Sequence, residues 1–493
     1  MSGAVVTLRN ESTGFVARTL TSSAGHGAFN QLPLGGPYTV SVERIGLRTE
    51  TRTGLEFVMG TRMTLDFDLA PAPVDLGAIV VVGAGDARGG APVNTRIGGA
   101  SLRALPALNR NFTDLAGLAP TMGAEFSLGG HRTTSTNIQI DGLQSRNMLR
   151  GGELGRGPYT LSMEAVREFE VVTNSYDVTE ARSGGGTVRA ATRSGTNELH
   201  GSIFTFYRNE QMGAARDYLG RGRELRQLDL FQWGGSVGGP IVPGTLHFFV
   251  AADRQDSSEP LAIADLRTAR DEIESQVAAD SLTRLLSILQ TSYGLGAQPQ
   301  VGVFSRRPVA NTLFARLDWM IGEVHRLTVR HNYSSFGSPH NGVGDQIVAL
   351  FESRSSAISR DHQTLVSLRS TRGSVENEAR LGISFSSREL TPNTVIPRGF
   401  VRVRSVLPDG TTGDVRMQFG GNRLAPEESG ERQLQLVNTT YWQRGNQRWT
   451  FGIDNSLTFL RTYIPTDQGG LFEFQSLAAL ESHSGRPEVQ QAI

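Results

Sequence analysis

The chain has 493 residues, which is long enough for more than one domain, and its 48 basic and 48 acidic side chains give a formal net charge of +0. This balance offers no electrostatic case for a nucleic-acid partner. The sequence contains no cysteine, which excludes disulfides and cysteine-based metal sites. A mean hydropathy of -0.24 argues against membrane-spanning helices, but it leaves open a β-barrel, whose strands alternate apolar and polar residues.

The first part of the chain, residues 1–70, alternates apolar and polar side chains over 4–8, 38–42 and 63–69. Turn residues recur between these segments about every ten residues, which is the spacing of a small β-sandwich. We therefore predict a small β-sandwich over 1–70.

A proline-rich linker begins at residue 71 and leads into a short apolar run, Ile79, Val80, Val81 and Val82. Branched side chains of this kind favour an extended backbone. Taken alone, the run is compatible with an ordinary first strand of the domain that follows.

Residues 84–197 combine sequence patterns of helices with sequence patterns of strands. Cap residues before apolar spacing predict short helices at 101–106 and 111–118, and 128–132 with 137–143 predicts a strand pair. Two further strands are predicted at 169–172 and 187–192, on either side of a glycine triplet. The segment therefore indicates a small α+β domain that ends near the Ser-Gly-Thr-Asn turn at 194–197.

From residue 198 onward the period of the apolar pattern becomes two. We predict nine strands, at 199–209, 229–241, 245–254, 310–321, 324–336, 362–372, 375–389, 432–443 and 447–460. Their connections alternate strictly between long and short, which is typical of an outer-membrane barrel and has no reason to occur in a soluble sandwich. Nine strands cannot close an even-numbered barrel or surround the preceding domain, so we predict the first part of a transmembrane barrel of roughly 22 strands.

The alternation also predicts which side chains face inward. The predicted interior residues are Arg316, Asp318, Arg330, Arg380 and Asp454. The predicted lipid-facing residues are Leu317, Trp319, Val329, Ile383 and Phe451. In the long connection after the third strand, residues 265–289 have helical spacing, and we predict one or two amphipathic helices that pack on their own loop rather than form a ligand lid.

Several motifs resemble those of one known family. They are Val166 to Val171, Tyr176, Gly184-Gly185-Gly186, Ser194 to Gly201 and, near the N-terminus, the pattern from Gly25 to Val42. The chain resembles TonB-dependent outer-membrane receptors of the Oar-like branch, which carry an N-terminal carboxypeptidase-regulatory-like domain. The family usually has lysine before the Ser-Gly-Thr-Asn turn, where this chain has Arg193.

The resemblance implies four parts: the regulatory-like sandwich (1–70), a linker with a TonB-box-like segment (71–83), a plug (84–197) and a partial barrel (198–493). The family's first sandwich strand and its terminal aromatic strand are missing from this sequence, so the resemblance implies an incomplete sandwich and a chain truncated at both ends. It implies that Ile79, Val80, Val81 and Val82 bind TonB by strand addition. A plug loop with Arg146, Asn147, Met148 and Arg150 is a candidate ligand site, although a solvated loop explains it equally well. The implied location is the Gram-negative outer membrane, with the signal peptide missing from this chain.

No HExxH, Walker or GxSxG motif is present, so we expect no enzyme, no catalytic residue, no metal and no cofactor. The resemblance implies an import receptor whose partners are TonB with its inner-membrane energising complex, outer-membrane lipid and an extracellular oligosaccharide, peptide or siderophore. The alternative function is a surface structural or adhesion protein that uses the barrel as an anchor. A soluble carbohydrate-binding sandwich would require the loop alternation to be a coincidence.

Overall fold

Strands account for most of the chain in this computed structural model. It describes residues 1–71, 80–82, 94–105, 115–123, 127–132, 135–145, 160–173, 185–212, 229–296, 298–341, 348–444 and 447–488. Among these residues, no helix has both the length and the apolar character required to cross a membrane.

The N-terminal region forms one sheet with the order β2-β1-β3-β4-β5. Its strands are β1 (Val5–Asn10), β2 (Val16–Leu20), β3 (Gly35–Glu43), β4 (Glu50–Phe57) and β5 (Val80–Val82). Alternate residues of these strands, among them Leu8, Tyr38, Val40 and Leu55, are buried in a common core. The first four strands are antiparallel neighbours, whereas β5 joins β4 in parallel.

The second layer of this region differs from the predicted sandwich. Residues 63–69 alternate between partly buried and exposed side chains, as the sequence predicted, but they form no strand. Met63, Leu65, Phe67 and Leu69 pack on the same core as the sheet. The apolar pattern therefore predicted correctly which side chains are buried. The segment is not a strand because its backbone does not pair with a neighbouring strand.

The predicted plug (84–197), called the plug below, contains a second sheet with the order β6-β9-β10-β7-β8. Its elements are β6 (Asn94–Gly98), α1 (Gly99–Ala104), β7 (Asn137–Ile140), β8 (Leu143–Gln144), β9 (Val166–Val172) and β10 (Thr187–Thr192). The central strand β10 runs antiparallel to β9 and parallel to β7. Three side chains of the barrel, Phe249, Ala251 and Phe314, belong to the same apolar core as Phe169 and Val188, so plug and barrel share one core.

One predicted element of the plug is wrong. Residues 128–132, expected to be a strand, form a turn in which Leu128 makes only an isolated bridge with Met122. Gly129 and Gly130 both have positive φ, 62° and 78°, and this left-handed backbone reverses the chain instead of extending it. Of the predicted helix at 111–118, residues 111–114 lie outside the described residues, and residues 115–116 are helical.

The nine strands predicted after residue 198 form one antiparallel barrel sheet. They are β11 (His200–Arg208), β12 (Asp229–Val242), β13 (Leu246–Ile263), β15 (Val309–Ile321), β16 (His325–Asn341), β18 (Ser355–Arg372), β19 (Val375–Pro392), β22 (Glu427–Arg444) and β23 (Gln447–Tyr463). Consecutive members of this series are hydrogen-bonded neighbours, so the sheet is a simple meander. Several strands are longer than predicted because their polar ends continue the ladder beyond the apolar stretch.

The two faces of the barrel sheet differ in polarity, as predicted. Asp318 and Arg330 are buried on the plug-facing side, whereas Leu317, Trp319 and Phe451 are exposed on the other side. Side chains on a strand alternate between the two faces, so a single register fixes the whole pattern. The outward apolar face is the one that suits lipid.

The long connections assemble into a separate unit, here called the loop domain (residues 264–308, 348–354, 393–426 and 464–488). It contains α2 (Ala269–Ser275), α3 (Ala279–Tyr293), β14 (Gly302–Arg306), β17 (Val348–Ala349), β20 (Arg398–Val406), β21 (Thr412–Gly420), β24 (Leu471–Phe474), α4 (Leu477–Glu481) and β25 (Arg486–Glu488). Its sheet has the order β17-β21-β20-β24-β25, while β14 pairs with β13.

The one or two helices predicted at 265–289 are α2 and α3. Leu266, Val277 and Val301 of the same connection belong to the core that buries α3, as predicted, but this core extends beyond the connection. Leu285 and Leu289 of α3 are buried against Val401, Val403 and Met417, which come from another connection. The apolar stripe of α3 therefore finds its partner more than a hundred residues further along the chain, because the antiparallel meander brings alternate connections to the same end of the sheet.

Candidate functional site

The plug carries a tight hairpin whose tip is aimed at the barrel wall. Strands β7 and β8 are joined by two residues, Asp141 and Gly142, with φ of 50° and 74°. Two consecutive left-handed residues form the turn that fits the twist of a two-residue hairpin, and Asp-Gly is a preferred pair there. The Asp141 carboxylate accepts hydrogen bonds from Thr192 N (2.9 Å) and Thr192 Oγ1 (2.8 Å), which fix it to β10.

A fully buried arginine of the barrel holds this hairpin. Arg330 has 0% relative exposure, and its Nε lies 2.9 Å from Asp141 Oδ2. Its Nη2 donates to Ile140 O at 2.6 Å, and both terminal nitrogens lie 3.2 Å from Gln363 Oε1. A guanidinium suits this position because its planar array of donors can serve a carboxylate, a backbone carbonyl and an amide at once.

A second set of charges lies beside the first, towards the short-turn end of the sheet. Arg316 donates from Nε (2.7 Å) and Nη2 (3.0 Å) to the two oxygens of Asp318, and its Nη1 donates to Thr192 Oγ1 at 2.8 Å. Asp318 also accepts from Arg326 Nη2 at 2.9 Å and Thr328 Oγ1 at 2.7 Å. We refer to Asp141, Arg316, Asp318, Arg326 and Arg330 as the charge cluster.

Uncharged polar contacts extend this attachment around the sheet. Gln144 N donates to Gln435 Oε1 at 2.9 Å, and Gln363 Nε2 donates to Gln144 O at 3.2 Å. Asn332 Nδ2 donates to Thr160 O at 2.9 Å. The plug is thus attached to β16, β18 and β22 mainly through hydrogen bonds, whereas its contact with β13 and β15 combines hydrogen bonds with the shared apolar core.

The plug hairpin and the barrel wall also fit closely together in shape where two glycines lie between them. A Cβ placed on Gly382 of β19 would overlap Leu143 Cδ1 of the plug hairpin, and a Cβ placed on Gly142 would overlap Arg380 Nη1. Both glycines therefore allow the hairpin to approach the wall more closely than any other residue type would.

A cavity of about 150 Å³ lies next to the charge cluster. Residues 31–34 of the N-terminal region form one of its sides, and plug residues that include Asp141 and Thr192 form another. The barrel contributes a mostly polar wall with Arg316, Arg326, Thr328, Leu365, Ser367, Arg369 and Glu378. Water or a polar solute is therefore the appropriate content of this space.

Burial shifts the pKa of two adjacent plug residues that the N-terminal region covers. Desolvation raises the pKa of Glu168, although a hydrogen bond from Met59 N (2.9 Å) acts in the opposite direction. Desolvation also lowers the pKa of Arg167, a change that the neighbouring Glu168 carboxylate opposes. Both shifts report the removal of water from the contact between plug and N-terminal region.

The predicted partner-binding and ligand-binding residues differ in how far the structure describes them. Val80, Val81 and Val82 form β5, in register with Thr51, Arg52 and Thr53 of β4, while Ile79 lies outside the described residues. The candidate ligand loop, Arg146, Asn147, Met148 and Arg150, also lies outside the described residues. Among the described residues, no three histidine, aspartate or glutamate side chains are grouped so as to hold a metal ion.

The charge cluster is only partly foreseen by the sequence. The alternation places Arg316, Asp318 and Arg330 on the interior face, which the structure confirms, but it does not identify their partner in the plug. The available signal was the Asp-Gly pair at 141–142 between two apolar segments, because a hairpin tip of this type presents a carboxylate to its surroundings.

Comparisons with known proteins place this architecture among transporters of the outer membrane. A carboxypeptidase regulatory-like domain matches residues 1–70, and an outer membrane beta barrel domain matches residues 191–269. The TonB-dependent transporter Oar of Myxococcus xanthus is 28% identical over 250 residues, which cover 47% of this chain and 23% of that protein.

One solved structure, an outer membrane transporter, shows the same fold. The outer membrane transporter YddB from Escherichia coli superposes with a TM-score of 0.55 at 13% identity, over 80% of this chain and 51% of YddB. The ferric enterobactin receptor of Pseudomonas aeruginosa has a TM-score of 0.48 at 14% identity, over 76% of this chain and 50% of the receptor. This chain therefore spans about half the length of these solved structures. It is an outer-membrane protein that combines a carboxypeptidase regulatory-like domain with a β-barrel, and it is similar to the TonB-dependent transporter Oar.

Proposed function

We propose that the protein is the receptor part of a TonB-dependent import system, in which a pull on residues 79–82 moves the plug and admits an extracellular ligand. The attachment of the plug hairpin to the barrel by the charge cluster carries this proposal. The likeness to a protein described as a TonB-dependent transporter supports it.

The physical character of the attachment suits a plug that moves. Hydrogen bonds between plug and barrel contribute little net free energy each, about 0.5–1.5 kcal/mol, because water replaces the lost partner when they break. Apolar surface has no such replacement and must be exposed at full cost. A plug attached through Gln144 and Thr160 can therefore separate stepwise from β16, β18 and β22 while water enters from the adjacent cavity, and the ion pair of Asp141 with Arg330 is the strongest contact to be broken.

The segment at 79–82 is suited to capture by strand addition. Such capture uses main-chain N–H and C=O groups and needs an extended backbone, which three consecutive valines favour. In the structure β5 already adopts this form against β4. We propose that TonB pairs with the same backbone, either at the other edge of β5 or in place of β4.

Replacement of Val81 by proline tests this assignment. Proline removes one backbone donor and its ring hinders pairing, whereas threonine at the same position keeps both the donor and the branched Cβ. We expect Val81→Pro to abolish binding of the purified periplasmic domain of TonB to the detergent-solubilised protein, as measured by calorimetry. Val81→Thr should bind like the wild type. Equal binding by the proline variant would show that residues 79–82 are not the coupling segment.

The loop domain gives a specific reason to keep the adhesion alternative. An apolar core built from four connections makes this end of the barrel rigid enough to serve as a binding surface for a solute or for another cell surface. The two functions differ in their need for TonB. Cell adhesion that survives Val81→Pro unchanged, together with normal growth on every tested nutrient, would favour the anchor function.

A further inference from the structure

The N-terminal domain, residues 1–70, docks on the short-turn end of the barrel sheet. Asn30 N donates to Glu376 Oε2 at 3.0 Å, and Gln31 Nε2 donates to Tyr441 Oη at 2.9 Å. Glu376 is only 8% exposed, so the first of these contacts is shielded from solvent. Met320, at the end of β15, packs against the apolar core of the N-terminal domain.

The same domain also touches the plug. Met59 N donates to the buried Glu168 carboxylate, and Asn197 N, at the start of the barrel, donates to Ser12 O at 2.8 Å. The guanidinium of Arg167 occupies the space next to Gly35, where a Cβ would collide with it. The domain is thus fixed to the plug and to the barrel by separate contacts.

The docked loop at residues 30–34 covers the cavity beside the charge cluster. Gln31, Leu32, Pro33 and Leu34 line the cavity together with residues of the plug and of the barrel wall. Gln31 Oε1 also lies 3.5 Å from Arg369 Nη2, and Arg369 itself lines the cavity. Removal of this loop would leave the cavity open towards the end of the sheet where the short turns lie.

We infer that the rim formed by Met320, Arg369, Glu376 and Tyr441 is a docking surface whose occupant is the chain's own N-terminal domain. In the docked position the loop at 30–34 is a gate that closes the periplasmic end of the space between plug and barrel. The role of this gate in import rests on the proposed function. The closed position of the loop at 30–34 does not, because it follows from the docking of the N-terminal domain alone.

The pairing of β5 with β4 connects this gate to the coupling segment. Val80, Val81 and Val82 belong to the sheet of the domain that carries the gate. A force applied to β5 therefore reaches β4 and the N-terminal domain before it reaches the plug, which lies further along the chain. We therefore expect the gate to be released before the plug moves.

The absence of cysteine in the chain permits a direct test. Ser367 lines the cavity from the barrel wall and is 9% exposed, so Ser367→Cys reports access to the closed space. We expect slow reaction of this thiol with a membrane-impermeant maleimide in the otherwise unchanged protein. Glu376→Ala, which removes the acceptor for Asn30 N, and Gln31→Ala should each accelerate the reaction about tenfold, the equivalent of one broken hydrogen bond.

Two matched variants separate gating from general loosening. Glu376→Gln keeps an acceptor for Asn30 N and should react slowly. Arg18→Ala removes a contact to Glu323 in the same interface, but both side chains are more than half exposed, so its effect should be negligible. An unchanged rate in Glu376→Ala and Gln31→Ala would overturn the gate, and so would an equal acceleration by Arg18→Ala. Neither result would affect the Val81→Pro test of TonB coupling.

Discussion

Conversion of Asp141 to asparagine is the sharpest test of how the plug is held. Asparagine is nearly isosteric with aspartate and tolerates the left-handed backbone at this position (φ 50°), so the turn itself is preserved. The substitution leaves the guanidinium of Arg330, at 0% exposure, with only the neutral partners Ile140 O and Gln363 Oε1. The variant therefore removes the charge of the carboxylate together with one of its two acceptor oxygens.

The expected cost follows from the burial of the pair. Loss of one partner of a buried ion pair costs about 3–5 kcal/mol, because the remaining charge is left in a poorly solvating environment. Asp141 lies at the plug surface next to a cavity that can admit water, which places the expected value at the lower end of this range. At about 1.4 kcal/mol for each factor of ten, opening of the hairpin should become about a hundredfold more frequent.

Amide hydrogen exchange of residues 137–145 measures this opening directly. Asp141→Asn and Arg330→Met should each accelerate exchange there. The double variant should be less affected than the sum of the two, since no unpaired charge remains. An exposed pair such as Arg284 and Glu481 provides the control, and Glu481→Gln should leave exchange unchanged. Strict additivity, or less than a threefold effect in the single variants, would refute the assignment of this pair as the clamp of the hairpin.

Three further outcomes are expected. Gly382→Ala should destabilise the plug by about 1–3 kcal/mol through overlap with Leu143, and Leu143→Ala in the same protein should restore part of this loss, measured by thermal unfolding. Glu168 has a raised pKa, so its carboxyl group holds a proton more tightly in the native state than in the unfolded state. The native state therefore loses stability as pH rises past the ordinary glutamate pKa of about 4.3. Glu168→Gln should flatten this decline, and its melting temperature should equal or exceed that of the wild type near neutral pH. Leu285→Ala should cost the loop domain about 2–5 kcal/mol, seen as faster proteolysis of that domain, while exchange in the barrel strands stays unchanged.

The sequence predicted much of the fold from local patterns. Nine strands, their order and the alternation of long and short connections follow from period-two apolarity and turn residues, which act over a few neighbouring positions. The same alternation assigned Asp318 and Arg330 to the interior face. The glycine pair at 129–130 was misread because a local apolar signal does not reveal that the backbone there is left-handed.

Only the tertiary structure decided which distant groups meet. Arg330 contacts Ile140 and Asp141 across about 190 residues of chain, and α3 packs on strands of another loop, because strand register and connection geometry place them together. The docking of the loop at 30–34 on Glu376 spans an even larger separation. No local pattern encodes such pairs, since each partner alone satisfies the rules for an exposed or interior polar residue. The sequence by itself determined the strands and their faces, whereas the contacts that hold the plug and close the cavity depend on how separately folded parts fit one another.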